Sequence, residues 1–127
     1  MDWEINYLQQ EGVVTIKTSG TLVDADENQK MVTEALVVAE KYDATKCLID
    51  DQDLTLEMKT IDIYGLPEIL DDLGVPRKYR VAIVVAESAR DVEGFKFYET
   101  RAFNVGFNHR LFTDTQTALD WLHQSRG

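Results

Sequence analysis

The chain is poor in the residues from which most reactive centres are built. It has one cysteine, Cys47, and two histidines, His109 and His123. A single cysteine excludes an intramolecular disulfide and a cysteine-built zinc site. The histidines lie far apart in sequence, with neither HxxxH nor HxH spacing, so they make no metal pair. No Gly-x-Ser-x-Gly, Walker loop or GxGxxG is present, and no cofactor is implied. No apolar run approaches the 18 or more residues that cross a bilayer, so stable membrane insertion is not expected. Cations are scarce too, with 13 Lys and Arg against 23 Asp and Glu and a net charge of −10. Such a chain repels nucleic-acid phosphates and anionic lipid, so no nucleic-acid partner is expected. The one basic cluster, Arg77-Lys78-Tyr79-Arg80, reads as a solvated loop leading into a strand. The opening Met1-Asp2-Trp3-Glu4 is acidic where a signal peptide is basic, which points to a cytoplasmic protein.

What the chain does have is apolar content, 44% of its 127 residues, enough for the core of one domain spanning 1–127. Its densest stretch is Tyr79 to Glu87, where Val81 to Val85 is apolar without a break. An unbroken β-branched run suits a strand covered on both faces, because a wet face would show as alternation. Trp3 to Leu8 and Val13 to Ser19, with the turn signal Glu11-Gly12 between them, read as a hairpin that Gly20 ends. Asp24 or Asp26 caps a helix whose inward stripe is Met31, Ala35, Val38 and Tyr42. Cys47 to Ile49 is a short buried strand ending in Asp50-Asp51, and Gln52 to Lys59 is a polar connector with Leu54 and Leu56 dipping inward.

Thr60 caps the next helix, which carries Leu66, Ile69, Leu70 and Leu73 and is kinked or divided at Pro67. Gly74 and Pro76 end it. Ser88 or Asp91 opens a third helix with the stripe Phe95, Tyr98, Ala102 and Val105, closed by Gly106. His109 to Phe112 is the last strand. Thr113 with Gln116 is a capping box for a final helix facing inward through Ala118, Leu119 and Leu122. The order β-β-α-β-α-β-α-β-α predicts an α/β fold. It is a mixed, mostly parallel sheet of about five strands with an N-terminal hairpin and four helices.

This order, with Lys46 to Asp51 (KCLIDD), Gly74 to Glu87 (GVPRKYRVAIVVAE) and His109 to Leu122 (HRLFTDTQTALDWL), resembles the STAS-like or SpoIIAA-like superfamily, in particular its small stand-alone bacterial members. The resemblance implies a non-enzymatic regulatory or protein-interaction module with a protein partner or a homodimer. It also leaves room for a small apolar ligand, since some STAS-like proteins resemble lipid-transfer folds. Classical members carry an Asp-Ser-Ser-Gly-like turn before the helix that follows the second core strand, and a kinase phosphorylates a serine there. The matching stretch is Glu57-Met58-Lys59-Thr60, which has neither serine nor glycine, and Thr60 alone carries a hydroxyl. Thr60 is therefore either an N-cap or the candidate phosphoacceptor.

Two further groups stand out. Asp50, Asp51, Asp53 and Glu57 form the densest carboxylate cluster. An EF-hand loop from Asp51 would need glycine where Leu56 stands. A phosphoacceptor receiver would need a lysine after the last strand, where Thr113-Asp114 stands. The cluster therefore reads as solvated loop charge. On the third helix, Phe97 falls opposite the Phe95/Ala102 stripe and is expected to be exposed or to meet a partner. Phe103 is expected at the border of the core face, and both are interface candidates. Cys47 reads as a small inert hydrophobe in a buried strand.

Overall fold

The computed structural model describes residues 1–89 and 91–124. Two strands come first, β1 (Asp2–Leu8) and β2 (Val13–Leu22), joined by a tight turn in which Gly12 N–H donates to Leu8 O at 2.8 Å. Then follow α1 (Ala25–Lys41), β3 (Lys46–Leu56), α2 (Thr60–Asp72), β4 (Arg80–Val84), α3 (Val92–Asn104), β5 (Asn108–Phe112) and α4 (Thr115–Leu122). The sheet order is β1-β2-β3-β4-β5, antiparallel between β1 and β2 and parallel elsewhere. This is the mixed α/β architecture that the order of elements predicts.

Strand order equals chain order, so every crossover steps in the same direction. Right-handed crossovers that step one way place their helices on one face. Accordingly α1, α2 and α3 cover one side, and among the described residues α4 covers the other. The valine-rich β4 segment lies between them. Val81, Ile83 and Val85 pack under Ile63 and Leu66 of α2 and Phe95 of α3. Ala82 and Val84 pack under Ala118, Trp121 and Leu122 of α4.

Several element ends differ from the sequence reading, for local reasons. Both β2 and β3 run further than expected. Gly20 does not end β2; it pairs with Leu54 at φ +88°, a backbone setting that a β-carbon would strain. The stretch from Gln52 to Leu56 is strand, not connector. It looks irregular because the register slips between Lys17↔Asp50 and Ser19↔Asp53, so β3 carries one extra residue there. The inward positions accordingly change parity, from Cys47, Ile49 and Asp51 to Leu54 and Leu56.

Thr60 is the first helical residue of α2, not its cap. Lys59 holds the cap position and no side chain caps that end. Asp114, not Thr113, caps α4, accepting from Gln116 N–H and Thr117 N–H. Helix α2 passes through Pro67 and ends in a Schellman turn, with Val75 N–H on Leu70 O and Gly74 N–H on Asp71 O, both at 3.0 Å. Gly74 sits there at φ +83°. Tyr42 is not part of the α1 core stripe; it is exposed and stacks on Tyr7 with ring centroids 4.2 Å apart.

Candidate functional site

A cavity of about 130 Å³ lies between the sheet and the layer formed by α1, α2 and α3. Its wall is mostly apolar and includes Met31, Leu36, Ile63, Leu66, Leu70 and Phe95. Side chains with polar or titratable atoms also line it: Asn28, Lys46 and Tyr79, and the group Thr18, Cys47, Asp51, Tyr98 and His109. The sequence does not announce this group, because it is drawn from β2, β3, α3 and β5.

Asp51 points inward by the alternation that also places Cys47 and Ile49 on that face, and the extra residue in β3 then turns Asp53 outward. Its neighbours Asp50 and Asp53 point the other way and share the Lys17 ammonium, at 3.1 and 3.0 Å. The carboxylate cluster seen in sequence is therefore divided between two faces of the sheet, and Glu57 is exposed beyond it. Among the described residues, no group of three His, Cys, Asp or Glu side chains is placed to hold a metal ion. Burial opposes a charge on Asp50, yet bonds from Gln52 and Lys17 outweigh it and hold that carboxyl below its usual value. Among the described residues Asp51 makes no such ion pair, and Lys17 acts on it only as a more distant charge. Burial raises it to about 6, the Thr18 bond offsets part of the rise and the Asp50 charge adds to it.

The Thr18 oxygen stands 2.6 Å from Asp51 Oδ1 and 3.1 Å from the Asp50 carbonyl. A hydroxyl has one hydrogen and cannot serve two acceptors fully. With Asp51 protonated the conflict ends, because the acid donates to Thr18 and Thr18 donates to the carbonyl. On the far wall, Tyr98 Oη and His109 Nδ1 are 2.8 Å apart. Burial lowers His109 to about 4, so its imidazole is neutral at pH 7. Burial, with the Asp51 charge added, raises the Tyr98 phenol. His109 Nε2 is buried with no hydrogen-bond partner among the described residues. Cys47 is half-buried, and burial followed by the Asp51 charge pushes its thiol up to about 12, which makes it a poor nucleophile.

The other sequence candidates are dispersed. Thr60 is exposed on the first turn of α2. Phe97 is half-buried rather than free, because α2 lies beside α3 and places Tyr64 against it, ring centroids 6.5 Å apart. Phe103 is not at the core border; it is 76% exposed. Ile61 and Tyr64, one turn apart on α2, are exposed as well. Their i, i+3 spacing on an otherwise polar face is the signal that could have marked them in the sequence. His123 meets Glu11 at 2.6 Å and has no connection with His109. The basic cluster is not a free patch. Arg77 pairs with Asp71 at 2.7 Å, and Arg80 donates to Trp121 O and Gln124 O at the end of α4.

No family model and no curated sequence matches the chain. Solved structures do. An anti-sigma factor antagonist from Mycobacterium paratuberculosis is similar over 97% of this chain and 94% of its own, with a TM-score of 0.61 at 13% identity. The anti-sigma factor antagonist SpoIIAA in its unphosphorylated form is similar over 98% of this chain and all of its own, with a TM-score of 0.52 at 12% identity. The chain therefore has the STAS-like, SpoIIAA-like fold. No helix among the described residues is long and apolar enough to cross a membrane.

Proposed function

We propose that the chain is a single-domain, non-catalytic regulatory module of the cytoplasm that works by binding another protein. Apolar side chains left in water on α2 and α3 carry this reading. Ile61 and Phe103 are 72% and 76% exposed, and Tyr64 is nearly half exposed. Scattered apolar residues are normal, but this set lies on neighbouring helices of a chain whose net charge is −10. Two copies would repel each other, so a partner with a cationic rim around an apolar centre fits better than a homodimer. The fold likeness to anti-sigma factor antagonists supports the same class of role. Thr60 sits at the start of α2, where a phosphate would be favoured by the helix dipole and would change the charge beside Ile61 and Tyr64.

Site-specific photocrosslinking in cells tests this reading. A probe at Phe103 or Tyr64 should trap one discrete adduct, and a probe at exposed Gln52 should not. Equal labelling at all three positions would remove the docking surface. Sedimentation of wild type beside Phe103→Asp tests the homodimer: monomers in both cases leave a different protein as the partner.

A second reading, favoured by the cavity, is that the module takes up a small apolar ligand beneath α1, α2 and α3. The two readings are compatible, since the same helices roof the cavity and face outward.

A further inference from the structure

We propose that the cavity is the site of an uncharged, ring-sized amphiphile whose single oxygen accepts a hydrogen bond from His109 Nε2. This deepens the second reading above and rests on it.

Three observations fix the chemistry of the ligand. The first is size. The cavity, about 130 Å³, is close to the engineered cavity of ~150 Å³ that takes up benzene, so a six-membered ring with a short substituent fits. The second is the direction of the unused hydrogen bond. Tyr98 holds its phenolic hydrogen and lies 2.8 Å from His109 Nδ1. It donates there, since the opposite arrangement would leave that hydrogen without an acceptor. A neutral imidazole accepting at Nδ1 carries its own hydrogen on Nε2. His109 is 8% exposed, and this N–H lacks a partner among the described residues. A buried donor without an acceptor is costly, and a ligand oxygen removes the cost.

The third observation is charge. Asp51 shares the cavity with His109 and makes no ion pair among the described residues, where Lys46 is the one cationic side chain on the wall. A carboxylate ligand with its oxygens at His109 would be repelled by that aspartate and would lose its water to a mostly apolar wall, a cost that one Lys46 at the wall offsets only in part. An ammonium ligand would meet a donor at His109 and a carboxylate already engaged by Thr18 at 2.6 Å. A ketone, ester or ether oxygen, or a hydroxyl, meets neither obstacle.

The test uses two isosteric probes and one charged analogue: acetophenone, α-methylstyrene and benzoate. Binding to the full chain at pH 7 is followed by amide shifts and by the His109 ring ¹⁵N signals. Acetophenone should bind at least ten times more tightly than α-methylstyrene, with the Nε2 signal moving, and benzoate should not bind. The variant His109→Phe, which keeps a ring and loses the donor, should erase the preference while still binding α-methylstyrene. Tyr98→Phe keeps the imidazole but frees its tautomer, and should retain only part of the preference. If both neutral probes bind wild type equally, the cavity takes apolar ligands but the role given to His109 is wrong. If the preference survives in His109→Phe, or if benzoate binds as well as acetophenone, the proposal is overturned. If no probe binds, the ligand reading itself falls.

Discussion

Thr18 and Asp51 meet at 2.6 Å on the inner side of the sheet, continuing the register that pairs Val14 with Cys47 and Ile16 with Ile49, at the point where β3 takes up its one extra residue. Without the slip, alternation along β3 would carry the run from Cys47 onward with Asp53 and Thr55 inward in place of Leu54 and Leu56. The irregularity therefore does two things. It restores an apolar face beyond Asp51, and it turns Asp53 out to Lys17, so that one carboxyl group rather than two lies among buried side chains.

The first prediction concerns pH. Asp51 is raised from 3.8 to about 6, so between those values the unfolded chain has lost a proton that the folded chain keeps. Its share of stability falls as pH rises through that window. His109 is lowered from 6.5 to about 4, so the unfolded chain gains a proton there that the folded chain refuses. Its share falls as pH drops. Each share is on the order of 3 kcal/mol, and the two oppose each other between pH 4 and 6. Relative to wild type, Asp51→Asn should gain stability steadily from pH 4 to 6, and His109→Phe should lose it over the same range. Urea midpoints measured at half-unit steps check this, and curves parallel to wild type would contradict the burial of both groups.

The second prediction separates two neighbouring positions. Asp114→Ala removes the acceptor for Gln116 N–H and Thr117 N–H and should cost about 1 kcal/mol. Thr113→Ala should stay within a few tenths of a kcal/mol of wild type. Thermal or denaturant unfolding distinguishes them, and a larger loss at Thr113 would return the cap to that residue.

Phe97 and Phe103 should behave differently although both lie on α3. Phe97→Asp places a charge against Tyr64 and the core and should destabilise by on the order of 2 kcal/mol. Phe103→Asp should leave the unfolding midpoint unchanged and abolish the crosslinked adduct. A stability loss at Phe103 equal to that at Phe97 would mean that its ring is covered.

Cys47 should resist alkylation. Its thiol is pushed up to about 12, so almost no thiolate exists at pH 8 in the folded chain. Iodoacetamide labelling should be slow in buffer and become fast in urea at the unfolding midpoint. Rapid labelling of the folded chain would show that the cavity opens widely enough to solvate the sulfur.

The order of elements was legible in the sequence because long runs of consistent period announce it. The valine segment and the Met31 to Ala39 stripe are of that kind. Ends were less legible, since Thr60 and Thr113 carry the hydroxyl that a cap prefers, while Lys59 and Asp114 hold the backbone position. The β3 slip was not legible at all, because one added residue breaks the alternation by which a strand is recognised. The cavity was the least legible feature. Tyr98 could be seen as an inward residue and Asp51 as part of an acidic run. Their nearness to His109 depends on how three segments distant in sequence are folded onto one another.

The one-directional stacking of strands has a consequence for how the chain is made. Each strand joins the margin of what already exists, and none has to be threaded between two partners. A growing polypeptide can therefore add layers as it leaves the ribosome. The underside of Leu48, Ala82 and Val84 is the exception, since among the described residues its cover is supplied by the eight-residue α4, which follows all five strands. Until that helix emerges, a nascent chain holds out a greasy patch to whatever chaperone is near.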